Sequence, residues 1–91
     1  MNQLSQVIKI THDSGLHARA STEFVRLAQR FEAEITVTRV GGSTVDGKST
    51  IAIMTLGAQL GDEIKIQTNG SDAAEALEAL SDLVRHDFHG V

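Results

Sequence analysis

Val7-Ile8-Lys9-Ile10-Thr11-His12-Asp13-Ser14-Gly15-Leu16-His17-Ala18-Arg19-Ala20-Ser21-Thr22 contains the change of period on which the fold turns. Over residues 7–11, Ile8 and Ile10 fall on one face of an extended chain and Lys9 on the other, which predicts a half-buried strand. From Ala20 onward the apolar residues follow a different rule. Ala20, Phe24, Leu27, Ala28 and Phe31 are spaced i, i+4, i+7, i+8 and i+11, one stripe of a helix. A strand therefore ends near Thr11, a short loop follows, and a helix begins around Ala18. His17 stands at the N-terminus of that helix.

Further along, residues 34–40 alternate with Ile35 and Val37 on one face. Residues 63–68 alternate with Ile64 and Ile66 facing one way and Glu63, Lys65 and Gln67 the other. One buried and one wet face per strand is the pattern of an antiparallel sheet covered on a single side. Gly41-Gly42 predicts a turn into a short strand near 43–46. Ala73, Ala76, Leu77, Leu80 and Val84 form a second helical stripe, with Ser71 or Asp72 available to cap its start. Thr50–Leu56 is ambiguous: Thr50, Ile51, Ile53 and Thr55 favour a strand, whereas Gly57 suits a helix C-terminus. Read as a helix, it completes the order βαββαβα. This is an α+β open-faced sandwich, a four-stranded antiparallel sheet covered on one face by three helices.

The 91 residues are expected to form one domain, 1–91. A chain of this length buries roughly 60–65% of its unfolded surface, so it supports one modest core and no deep cleft. With only three aromatic residues, all Phe, that core must rest on Ile, Val, Leu and Ala. The absence of cysteine excludes disulfides, thiolate zinc sites and a Cys nucleophile. The opening Met1-Asn2-Gln3-Leu4-Ser5-Gln6 is polar and lacks a leader pattern, and no apolar run approaches the ~20 residues that span a membrane. A cytoplasmic protein is expected. The net charge of −4 argues against nucleic-acid binding. The acids Asp72, Glu75, Glu78 and Asp82 crowd the C-terminal third, while Arg19, Arg26 and Lys48 lie elsewhere.

At a helix start, unpaired backbone N–H groups and the positive end of the dipole gather around His17. Such a place disfavours an imidazolium and so favours a neutral, nucleophilic ring. It also accommodates a phosphate once one is attached. Arg19 could pair with phosphate oxygens by charge-assisted bonds. Gly15 gives the loop freedom to turn and leaves the approach open. A lone histidine here would read as an ordinary exposed cap; the Gly-Leu-His-Ala-Arg context changes that reading.

With those residues the chain resembles the HPr family of the phosphoenolpyruvate:sugar phosphotransferase system, over nearly its whole length. Gly15-Leu16-His17-Ala18-Arg19 is similar to the family's phosphorylation motif. Gly47-Lys48-Ser49, an apolar helix and Leu56-Gly57 are similar to its regulatory-serine motif. Ala20 departs from the pattern, standing where the family usually has proline, and Thr50-Ile51 replaces what are often larger apolar residues. Phe88 beyond the last helix resembles the nitrogen-branch relatives.

The resemblance implies a phosphocarrier rather than an enzyme, without a cofactor and acting as a monomer. His17 Nδ1 would take the phosphoryl group from phosphorylated enzyme I and pass it to acceptors of the enzyme IIA type. Arg19 and the Ala18 amide would stabilise the group. Ser49 would be a regulatory site for a serine kinase or phosphorylase. Thr22, Arg26, Lys48, Ile51 and Met54, with Ala18, Arg19 and Ser49, would form the partner surface. A regulatory paralogue that mainly docks on other proteins is the competing expectation.

Two other motifs compete. Gly42-Ser43-Thr44-Val45-Asp46-Gly47-Lys48-Ser49 matches the G-x-x-x-x-G-K-S phosphate loop of nucleotide-binding proteins. That loop belongs between a parallel strand and a long helix, and here Gly57 ends the following segment early. His86 and His89 invite a metal, yet no third ligand is near in sequence, and solvated histidines are expected. His12 ends the first strand and could lie near His17, with no role assigned to it.

Overall fold

The computed structural model describes residues 3–90; Met1 and Asn2, part of the polar opening stretch, lie outside them, as does Val91. The elements run β1 (Gln3–Lys9), α1 (Ala18–Ala28), β2 (Glu34–Arg39), β3 (Thr44–Asp46), α2 (Thr50–Thr55), β4 (Glu63–Asn69) and α3 (Ala73–Arg85), with a short C-terminal turn at Asp87–Gly90. The sheet order is β1-β4-β2-β3, and every neighbouring pair is antiparallel.

Register explains the two faces. Ile8 sits opposite Ile64, Val37 opposite both Ile66 and Val45, and Ile35 opposite Thr68. These side chains face the helices, and all but Val45 are buried. Lys9 opposite Glu63, Thr36 opposite Gln67 and Glu34 opposite Asn69 make up the polar outer face. Ala20, Phe24 and Ala28 of α1, Ile53 of α2, and Ala76, Leu80 and Val84 of α3 close the core from the other side.

Three sequence readings change. β1 starts at Gln3 rather than residue 7, because the mostly polar Gln3–Gln6 segment pairs with Asn69, Thr68, Gln67 and Ile66 along the sheet edge. As an edge strand it leaves even Leu4 and Val7 exposed, so no alternation marks its first residues. α1 ends at Ala28, and Phe31 packs on the core from the loop beyond. Asp72 does stand at the start of α3 but makes no side-chain cap bond there. Its carboxylate accepts instead from the N–H groups of Glu32 and Ala33, at 2.9 and 2.8 Å, tying the α1–β2 loop to α3. Those bonds, led by the one from Glu32, hold the Asp72 carboxyl below its usual range, with the nearby charge of Lys48 adding to the effect.

Thr50–Leu56 resolves as a helix. Ser49 accepts a hydrogen bond from the Ala52 N–H through Oγ, 3.2 Å, and the preceding Gly47 donates its N–H to Ile35 O at 2.7 Å. A Cβ on Gly47 would lie 2.5 Å from Ile35 Cγ2, so only glycine lets the chain pass this close to β2.

Candidate functional site

The loop between β1 and α1 is fixed at several points. Ile10 donates its N–H to Asp62 O at 2.8 Å and accepts from Gly61 at 2.9 Å, extending the β1 ladder into the loop before β4. Gly15 N–H donates to His12 O at 2.9 Å, which closes a four-residue turn. Gly15 itself has φ +60°, and a Cβ there would stand 2.5 Å from Ala58 O and 2.7 Å from Gln59 Cα. Leu16 is buried, and its N–H donates to Ala58 O at 3.0 Å. The fully buried Ser21 returns its hydroxyl to Leu16 O at 3.1 Å.

This frame delivers His17 as the N-cap of α1, in extended backbone (φ −73°, ψ 179°), half-buried, with no side-chain cap hydrogen bond. Its carbonyl accepts the first helical bond, from Ser21 N–H at 2.8 Å. The N–H groups of Ala18, Arg19 and Ala20 therefore precede the first in-helix acceptor, and the positive dipole end lies among them. No acidic residue occupies the first turn to compete with an incoming anion. The His12 ring lies beside His17, centroids 4.9 Å apart and tilted by 45°.

Ala18, Thr22 and Arg26 follow each other at helical spacing along one exposed flank. With Arg19 and Glu23 they line a shallow depression of about 330 Å³. Thr22 donates its hydroxyl to Ala18 O at 2.9 Å, and Arg26 makes an exposed ion pair with Glu23 at 3.9 Å. α2 packs against α1 and presents Ile51 (76% exposed) and Met54 (43%) while it buries Ile53. Lys48 is turned away from an open role: its Nζ donates to Phe31 O at 2.6 Å.

The geometry opposes the phosphate-loop reading of Gly42–Ser49. Thr44–Asp46 is a strand paired to β2, and the helix after Ser49 has six residues, so no open amide cradle precedes a long helix. His86 and His89 are both exposed, with rings stacked 6.0 Å apart, and among the described residues no group of three potential ligands gathers. Among the described residues, no helix is long and apolar enough to cross a membrane.

A family model described as "PTS HPr component phosphorylation site" matches residues 4–86. The chain belongs to the HPr family. It is 45% identical over 85 residues to the phosphocarrier protein HPr of Neisseria meningitidis serogroup A, covering 93% of this chain and 94% of that protein. It is 34% identical over 83 residues to the multiphosphoryl transfer protein of Salmonella typhimurium, covering 89% of this chain and 22% of that much longer protein. Among solved structures, the crystal structure of HPr from Bacillus anthracis superposes with a TM-score of 0.85 at 41% identity, covering 90% of this chain and 96% of the other. The HPr fold and role follow: an open-faced α+β sandwich serving as a phosphocarrier of the phosphotransferase system rather than as an enzyme.

Proposed function

We propose that His17 is the phosphoryl acceptor of this HPr protein. The observation that carries the reading is a half-buried imidazole at the N-cap of α1, beside amides that have no in-helix acceptor. In the proposed step, enzyme I presents a phosphohistidine. The Nδ1 lone pair of His17 attacks phosphorus, the N–P bond to the donor ring breaks, and the donor nitrogen leaves with the electron pair. Attack through Nδ1 requires the ring proton on Nε2. The developing charge on the phosphoryl oxygens is met by the Ala18 amide and by Arg19, which stands exposed at the second helical position. Reversal of the step onto an acceptor of the enzyme IIA type completes the cycle.

Thr22, Arg26, Ile51 and Met54 suit a small, transient docking surface in which apolar contacts are ringed by bases. Lys48 enters through its position before α2 rather than through its amine. Ser49 is proposed as a regulatory site for a serine kinase or phosphorylase, supported by its place at the start of the helix that carries Ile51 and Met54. A monomer of one domain, working in the cytoplasm, goes with this role. The relation to a multiphosphoryl transfer protein supports a module that hands phosphoryl groups between protein partners.

The test is incubation with phosphoenolpyruvate and enzyme I, followed by intact mass. One acid-labile, base-stable phosphoryl group is expected on the wild type and none on His17→Ala, with the fold of the variant intact by circular dichroism. Full phosphorylation of His17→Ala overturns the assignment.

A further inference from the structure

We propose that His12 is a positioning residue for phosphoryl transfer at His17, braced from behind by the C-terminal turn. The proposal rests on the assignment of His17 as acceptor. The two imidazoles are in ring contact, centroids 4.9 Å apart. His12 is itself held from two other directions. The Ser14 N–H donates to His12 Nδ1 at 3.1 Å, which makes Nδ1 the acceptor and leaves the proton of a neutral ring on Nε2. The Phe88 ring approaches His12 edge-on, centroids 6.1 Å apart and planes at 65°.

Phe88 stands there on a turn that is neither an ordinary helix nor an extended tail. Asp87, Phe88 and His89 adopt φ of 52°, 55° and 57°, three consecutive non-glycine residues in the left-handed region. In this region Cβ crowds the following carbonyl oxygen, so side chains other than glycine's rarely adopt it. A turn like this persists only where its surroundings over-determine it. Two contacts do so here. Phe88 is buried to 1% exposure. The Asp87 carboxylate accepts a hydrogen bond from the Thr11 hydroxyl. The strained turn thus grips residues 11 and 12 together, and the strain locates the brace at the phosphorylation loop.

A ring fixed on one side of His17 removes part of the rotational freedom that an imidazole at a helix start would otherwise have. Such pre-set orientation acts on the transfer step rather than on docking. His12→Ala should therefore lower the maximal rate of phosphoryl acceptance from phosphorylated enzyme I on the order of tenfold. The KM for this carrier should stay within about twofold. His12→Phe, which keeps a ring against His17, should recover most of the rate. A loop damaged in general would instead raise KM or lower Tm in both variants.

The His17 side-chain rotamer, read from NMR couplings in the unphosphorylated protein, supplies an arm independent of transfer. One rotamer is expected in the wild type and averaging in His12→Ala. Should His12→Ala fail to fold, Phe88→Leu, which keeps the core filled while removing the aromatic edge, carries the same two measurements. A fixed His17 rotamer in the variants, an unchanged maximal rate, or a change confined to KM overturns the proposal. Absence of phosphate on wild-type His17, with the rotamer still dependent on His12, overturns the acceptor assignment instead.

Discussion

α1 and α2 start in opposite ways. At α2, the Ser49 hydroxyl turns inward and accepts the Ala52 N–H, so the helix satisfies one of its own orphan donors. At α1, His17 makes no such bond, and the loop that carries it is instead held by backbone and by buried neighbours: Leu16 on Ala58, Ser21 on Leu16, Gly15 against Ala58. Helix starts share one resource, a cluster of N–H groups at the positive end of a dipole. α2 uses it for local stability. α1 draws its stability from tertiary contacts behind the loop, and under the role proposed for His17 its N–H groups stay available to an arriving anion. A functional helix start differs from a structural one in where its support comes from.

If that contrast is right, the largest structural effect at α1 should come from its supports. Gly15→Ala should destabilise the protein by about 3 kcal/mol, through a left-handed backbone and a Cβ driven into the Ala58 carbonyl. Urea unfolding measures this, and a loss comparable to an ordinary surface change would show that the loop can relax. Arg19→Ala should do the reverse. Stability should stay within about 0.5 kcal/mol, as for exposed residues generally. Phosphoryl acceptance should slow about tenfold through the lost charge-assisted contact. Transfer rates equal to those of the wild type in both directions would remove Arg19 from the site.

The same contrast shows what sequence could and could not reveal. Ile8, Ile35, Ile64 and Ile66 announced their strands because each alternates along its own strand with polar residues such as Lys9, Thr36 and Lys65, the pattern of a one-sided sheet. The helix start at His17 was legible from a change of period within a few residues. Gln3–Gln6 was not legible, since an edge strand wet on both sides carries no alternation. Thr50–Leu56 was ambiguous because its β-branched residues oppose its own cap. Non-local contacts were invisible for a simpler reason. The Asp72 carboxylate reaches residues some 40 positions away, and Phe88 reaches back across the chain to His12. Short-range pattern also could not foresee that the Lys48 amine would bond the Phe31 carbonyl rather than face a partner.

Ser49 sharpens the comparison from the α2 side. Ser49→Ala should cost about 1 kcal/mol of stability by losing the cap, while phosphoryl acceptance at His17 stays near wild type. Ser49→Asp retains an acceptor for the Ala52 N–H, so its Tm should match or slightly exceed the wild type. It also places a negative charge beside exposed Ile51 and Met54. Against an acidic partner surface, acceptance should fall about threefold at low salt and less at physiological salt. An acceptance rate equal to wild type at low salt would reduce Ser49 to a helix cap.

The smallest effect is expected at the third helix start, and it is a dependence on pH. Asp72 occupies the N-cap of α3 but gives its carboxylate to Glu32 and Ala33, in the loop that also receives the Lys48 amine at Phe31. The Glu32 N–H, and with it the Ala33 N–H and the Lys48 charge, keep its folded pKa below the ordinary value of 3.8. A depressed folded pKa means that the unfolded chain binds the proton more readily than the native one. The contribution of ionised Asp72 is thus fully present above the unfolded value and is lost as pH falls through the folded one. Asp72→Ala should lower Tm at pH 7, and the difference from wild type should narrow once pH drops below about 4. Asp72→Asn, which keeps one carbonyl acceptor, should fall between the two at neutral pH. A Tm difference that stays constant from pH 7 to the acid limit would show that the carboxylate acts by filling space between α3 and the α1–β2 loop, and that its charge adds nothing to the tie.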